Sequence, residues 1–149
     1  MMEKIKALFE ENQKNEAAYD AAEAIDDQAG MEAARTRHQE LCQEARDNGK
    51  DFCFILRLYT EMKECGNQMI DLHDCHEDNA AETISFFKKY GIQQFTFSST
   101  WSSAVKTSWA FIQSGCALAG MTNINSLYIK PFSHGQREQV PAYIFTINE

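Results

Sequence analysis

Five hydroxyl side chains, Ser98, Ser99, Thr100, Ser102 and Ser103, follow Phe95-Thr96-Phe97 and stand at the head of a helical run from Ala104 to Gly115. A strand that breaks into such a turn and then a helix points backbone N–H groups and hydroxyls at one spot, which is how proteins hold an anion. Ser99, Thr100, Ser102 and Ser103, with Trp101 as a flat contact, are therefore one candidate binding site, for a phosphate compound or a partner's polar group. The same residues also describe a capped helix whose Trp101 folds into the core as a staple.

Three other sets have the right residue types for chemistry. His73, Asp74, Cys75, His76 and Asp78 are of the kinds that ligate zinc. A tetrahedral site draws on two separated pairs, and the remote candidates are limited to His38, Cys42 and His134, so no metal and no cofactor is expected. Ser102 or Cys75 can be combined with His134 on paper, but the turn lacks the Gly-x-Ser-x-Gly elbow that exposes a nucleophile, and no catalytic residue is assigned. Carboxylates form the last set. Residues 1–80 hold 19 acidic and 9 basic side chains, a net of −10, and residues 81–149 hold 3 and 5, a net of +2. Glu10, Glu11, Glu16, Asp20, Glu23, Asp26 and Asp27 lie on a first helix, Glu40 and Glu44 on a second. Such helices repel nucleic acid and suit a basic protein surface, while Lys14, Arg35 and Arg37 dilute their field. A solvated face that keeps the chain soluble has the same composition.

The elements that must position these groups follow from periodicity. Ile5, Leu8, Ala17, Ala21 and Ala22, then Ala34, Leu41 and Ala45, recur at helical spacing on either side of Asp26-Asp27 and predict an antiparallel helical hairpin with much exposed surface. Phe52, Ile55, Leu58, Tyr59 and Met62 predict a dense core helix ending near Gly66-Asn67. Residues 71–79 read as a polar connection, and a short helix over Ile84, Phe86 and Phe87 stops at Gly91. From Ile92 the period falls to two, predicting strands at 92–98, 117–124 and 142–147 around a helix at 102–115 whose inward stripe is Val105, Trp109 and Ile112. The last strand is apolar at nearly every position, which puts it at the centre of its sheet. The expected class is α+β: a helical hairpin and core helix at 1–72, then an α-β-α-β-β part at 73–149 with a three-stranded mixed sheet, all in one domain.

The order of strand, turn, helix, strand and final strand over residues 92–147 resembles the C-terminal half of the N-acetyltransferase fold. The R/Q-x-x-G-x-G/A loop that holds acetyl-CoA in those enzymes does not occur here. Leu56-Arg57-Leu58-Tyr59, Gly66-Asn67, the connection from Asp71 to Asp74 and the block from Phe95 to Val105 resemble a family of uncharacterised small proteins carried on plasmids, phages and integrative elements of anaerobic gut bacteria. The resemblance brings no catalytic residue. It implies the setting of accessory genes, among which inhibitors of host defence are common.

The reading is a non-enzymatic protein-binding module, in its most specific form an anti-CRISPR type inhibitor that presents acidic helices to the basic groove of a nucleic-acid-guided nuclease. The alternative is a binder of phosphate compounds, or an acyltransferase-like enzyme, working through the turn at 98–103. A homodimer through paired hairpins is a third option. Five cysteines at irregular spacing, no leader-like N-terminus and no apolar run of membrane length lead to the expectation of a cytoplasmic protein without nucleic-acid or membrane partners.

Overall fold

The computed structural model describes residues 1–100 and 102–148. The chain forms two compact units, residues 1–56 and 57–149, and the division falls inside a helix.

The first unit is the hairpin. Helix α1 spans Met2–Ala24 and α2 spans Gln28–Asp47. Asp27 sets the start of α2: its side chain accepts from the Gly30 N–H at 3.0 Å, which satisfies one of the donors that a helix N-terminus leaves open. Ile5, Leu8 and Ala22 of α1 and Met31, Ala34, Leu41 and Ala45 of α2 are buried, a thin apolar seam between two long helices. Helix α3, Lys50–Cys65, is denser, with Phe52, Ile55, Leu58, Tyr59 and Cys65 buried.

The second unit is built on a sheet. Strand β1 is only Asp71–Leu72, followed by a 3-10 turn at Glu77–Asn79, α4 at Ala80–Lys89 and β2 at Gln94–Phe97. Helix α5 spans Ala104–Gln113, and β3, Cys116–Ile129, and β4, Arg137–Ile147, form a long hairpin. The strand order is β1-β2-β4-β3, with β1 parallel to β2 and the other pairs antiparallel. The α+β class holds and β4 does lie between β2 and β3, but the sheet has four strands rather than three. The fourth is β1, within the stretch expected as a polar connection. It has no periodicity of its own; its partner imposes it, as the Thr96 and Ser98 N–H groups donate to the Ile70 and Leu72 carbonyls at 2.9 Å each.

Five phenylalanines form the aromatic core of this unit, with the Phe87 ring of α4 5.1 Å from Phe95. The Phe111 ring lies 5.2 Å from Phe95, 5.2 Å from Phe97 and 5.3 Å from Phe145, each edge-on. This corrects the expected stripe on α5. Thr107 and Phe111 face inward, while Val105, Trp109 and Ile112 are exposed. Helix α5 is apolar on most of its circumference, and the flat Phe111 edge fits the aromatic layer of β2 and β4 where the outer stripe does not.

Candidate functional site

The second unit carries a cleft of about 300 Å³ that the sequence reading missed. It is built from β1, the end of β2, the last turns of α3 and the far part of the β3–β4 hairpin. Period-two alternation puts Phe95 and Phe97 on one side of β2 and Thr96 and Ser98 on the other. Thr96 pairs with Asp71 across the parallel ladder. Its hydroxyl donates to Asp71 Oδ1 at 2.7 Å, and the Ser98 hydroxyl donates to Oδ2 at 2.6 Å. Burial pushes the Asp71 carboxyl above the usual aspartate range, and the two hydroxyl donors and nearby His73 oppose that rise only in part.

Beside it, His73 Nε2 lies 3.3 Å from Glu61 Oε2, and Arg57 holds Glu61 Oε1 at 3.1 Å from the preceding turn of α3. Met62, Leu127, Tyr128 and Val140 give the cleft an apolar wall. The arrangement offers two carboxylates, an imidazole and an exposed Thr100 to a small polar molecule. The one available signal was the polar face of β2. Two hydroxyls opposite Phe95 and Phe97 need a buried partner, and Asp71 is the acid that the parallel strand delivers.

The Ser-rich turn is used differently from the expectation. Ser98 is committed to Asp71, and Ser103, the residue before α5, makes no side-chain cap bond. The Ser103 carbonyl instead accepts the Thr107 N–H at 3.0 Å and the Thr107 hydroxyl at 3.1 Å. Of the turn's candidates, Thr100 borders the cleft, Ser99 is half-buried, Ser102 is exposed, and Trp101 lies outside the described residues.

On the hairpin, all nine candidate carboxylates are exposed, but they are not equivalent. Glu11 pairs with Lys14 and Arg37, Glu40 pairs with Arg37, and Glu16 accepts from Asn12. Asp26 accepts from Gln28, and Asp27 is the cap of α2. Glu10, Asp20, Glu23 and Glu44 have no ion pair among the described residues. Glu16 and Asp20 also border an open groove between α1 and α2 of about 470 Å³, with Tyr19, Arg35 and His38 on its walls.

The remaining chemical sets are dispersed. Cys42 Sγ lies 3.5 Å from His38 Nε2, His76 caps the 3-10 turn through the Asp78 N–H, and no group of three or more His, Cys, Asp or Glu side chains is placed to hold a metal ion among the described residues. Cys75 is buried against Thr83, and His134 sits in the β3–β4 turn. Burial raises the thiol pKa of Cys65 and Cys75 and pushes that of Cys116 to about 11, which keeps them protonated and poorly nucleophilic.

These features define a small α+β protein with a mixed four-stranded sheet, a carboxylate-bearing cleft on one unit and an acidic helical hairpin on the other. Residues 54–147, more than half of the chain, match the family described as a domain of unknown function, DUF7698, and the chain belongs to that family. The match contains every residue of the cleft and none of α1 or α2. No curated protein and no solved structure matches the chain. No helix among the described residues is long and apolar enough to cross a membrane.

Proposed function

We propose that this protein is a non-enzymatic protein-binding module that offers its acidic hairpin to a basic protein surface. The observation that carries the reading is the set of exposed carboxylates without ion pairs, Glu10, Asp20 and Glu23 on α1 and Glu44 on α2. A basic partner satisfies them without first breaking a salt bridge, and a charge pair formed across an interface steers association. In its most specific form the partner is a nucleic-acid-guided nuclease, the hairpin occupies the basic groove meant for nucleic acid, and the gene belongs to a mobile element. The test is binding of the full chain to a guide-loaded and an empty nuclease at low and high salt, with polylysine as a plain basic probe. Binding that weakens with salt, and that drops about tenfold or more when Glu10→Gln, Asp20→Asn, Glu23→Gln and Glu44→Gln are combined, is expected. Binding to neither probe at low salt overturns the reading.

A second reading rests on the cleft, with the small molecule rather than a protein as ligand. Asp71 and Glu61 on its wall favour a cationic or neutral polar ligand over the phosphate compound first expected from the Ser-rich turn. An acyltransferase of the acetyl-CoA kind would need a phosphate-binding glycine loop, which this sequence lacks. Small amines should raise the melting temperature of the wild type and leave Asp71→Ala unmoved. If phosphate compounds stabilise and amines do not, this assignment of ligand class is wrong.

A further inference from the structure

Strand β3 ends the sheet on one side, and three observations bear on what meets it. The first is hydrogen bonding. Residues Gly120 to Asn125 pair with β4 in unbroken register, Asn123 opposite Pro141 and Asn125 opposite Gln139. Pro141 has no N–H, so Asn123 and its period-two neighbours Met121 and Asn125 turn their backbone groups away from β4. At Asn125 those groups are already satisfied: its N–H donates to Asn67 Oδ1 at 3.0 Å, and its carbonyl accepts from Asn67 Nδ2 at 2.8 Å. The Asn67 amide thus makes the bond pair that a neighbouring strand would make. Beyond it the edge is bare, the only contact at Met121 and Asn123 among the described residues being a long 3.5 Å bond from the Thr122 hydroxyl to the Asn123 carbonyl.

The second observation is the apolar layer. Directly opposed residues share a sheet face. One row runs Phe95, Phe145, Leu118, and the next Phe97, Tyr143, Met121. Exposure climbs along them, from 0% at Phe95 and 1% at Phe145 to 53% at Leu118, and from 2% at Phe97 through 40% at Tyr143 to 63% at Met121. The core layer runs out to the open edge. The third is charge. Strand β3 has no charged residue and no proline from Cys116 to Ile129, in a chain of net charge −8. Free edges are ordinarily guarded by lysine or proline.

We infer that β3 pairs antiparallel with β3 of a second copy of this chain, centred on Thr122. In that register Met121 faces Asn123 of the other copy, so the bare N–H and C=O groups of both are exchanged. Pairing covers the exposed end of each copy's apolar row, Met121 coming to lie against Asn123 of the other copy. An uncharged strand meeting itself adds no like-charge repulsion at the seam, which a net-acidic chain needs of any self-contact.

The test is the mass of the full chain in solution by light scattering, for wild type and two variants. Asn123→Pro removes an N–H that faces away from β4 and so blocks the seam while sparing the β3–β4 ladder. Met121→Lys places two cations at the seam. The wild type should have twice the chain mass of 17.0 kDa. Both variants should be monomers with unchanged circular dichroism. A third variant, Thr122→Cys, should form a disulfide between copies on mild oxidation, because Thr122 meets its own copy at the axis. A monomeric wild type, or a dimer that survives both Asn123→Pro and Met121→Lys and is not cross-linked through Thr122→Cys, overturns the inference.

Discussion

Asp71 is the residue on which the second unit's polar chemistry turns. Each of its oxygens accepts a hydrogen bond from a hydroxyl, Thr96 on one and Ser98 on the other, on the wall of the cleft. Thr96 is itself almost fully buried, and Asp71→Ala would leave the Ser98 hydroxyl without its acceptor and the Thr96 hydroxyl with only the long 3.5 Å bond to the Ile70 carbonyl, at a cost of about 1–3 kcal/mol. Its titration has a sign that can be measured. Burial lifts the folded carboxyl above the ordinary aspartate value, so the folded protein keeps a proton over a window where the unfolded chain has lost it. The site's contribution is therefore complete below the ordinary aspartate pKa and falls as pH rises toward the folded value. Urea unfolding of wild type and Asp71→Asn across the acidic range should show this decline in the wild type alone. A difference between the two that is flat with pH contradicts it.

Elements were legible where the chain carries its own punctuation. Asp27 before α2, Gly91 after α4 and the spacing of Leu41 and Ala45 fixed helices within a few residues, because capping and periodicity are local. Strand β1 was not legible, since two residues cannot show a period and what makes them a strand is the backbone of β2, over twenty positions along. With β1 went Asp71 and the cleft. On α5 the failure was one of choice between two apolar faces, and the aromatic layer of β2 and β4 decided for Phe111. One substitution tests the local logic of the hairpin. Glycine inside a helix usually gains about 1 kcal/mol on becoming alanine. A Cβ at Gly30 instead meets the Asp27 carboxylate and lies 3.0 Å from Ala22 Cβ on α1. Gly30→Ala should therefore lower the melting temperature by displacing the cap, which alone is worth about 0.5–2 kcal/mol. A rise in melting temperature would show that the cap survives the crowding.

At the scale of the molecule, negative charge is concentrated before residue 81 and large exposed apolar side chains after residue 104. Residues 1–56 have 13 acidic and 7 basic side chains, a net of −6, and residues 57–149 have 9 and 7, a net of −2. Most of the large exposed apolar side chains lie in the second unit, on α5 and the β3–β4 hairpin. The family match follows the same division. It covers the sheet and its cleft and does not extend to the α1–α2 hairpin. The skewed charge was plain in the composition. The division into units at residue 56 was hidden, because α3 runs through it without a break in periodicity, and the acidic run passes it as well, with a net of −4 over residues 57–80.

The central place of β4 also orders events in time. Strands β2 and β3 do not pair with each other; each waits for residues 137–147. On a growing chain the α1–α2 hairpin can close on local contacts as soon as it emerges, whereas Phe95 and Phe97 stay uncovered until β4 has been made. For that interval the nascent protein is a finished hairpin followed by an unfinished sheet. A translational pause after β3 would lengthen the period in which its apolar strands are open to the wrong partner.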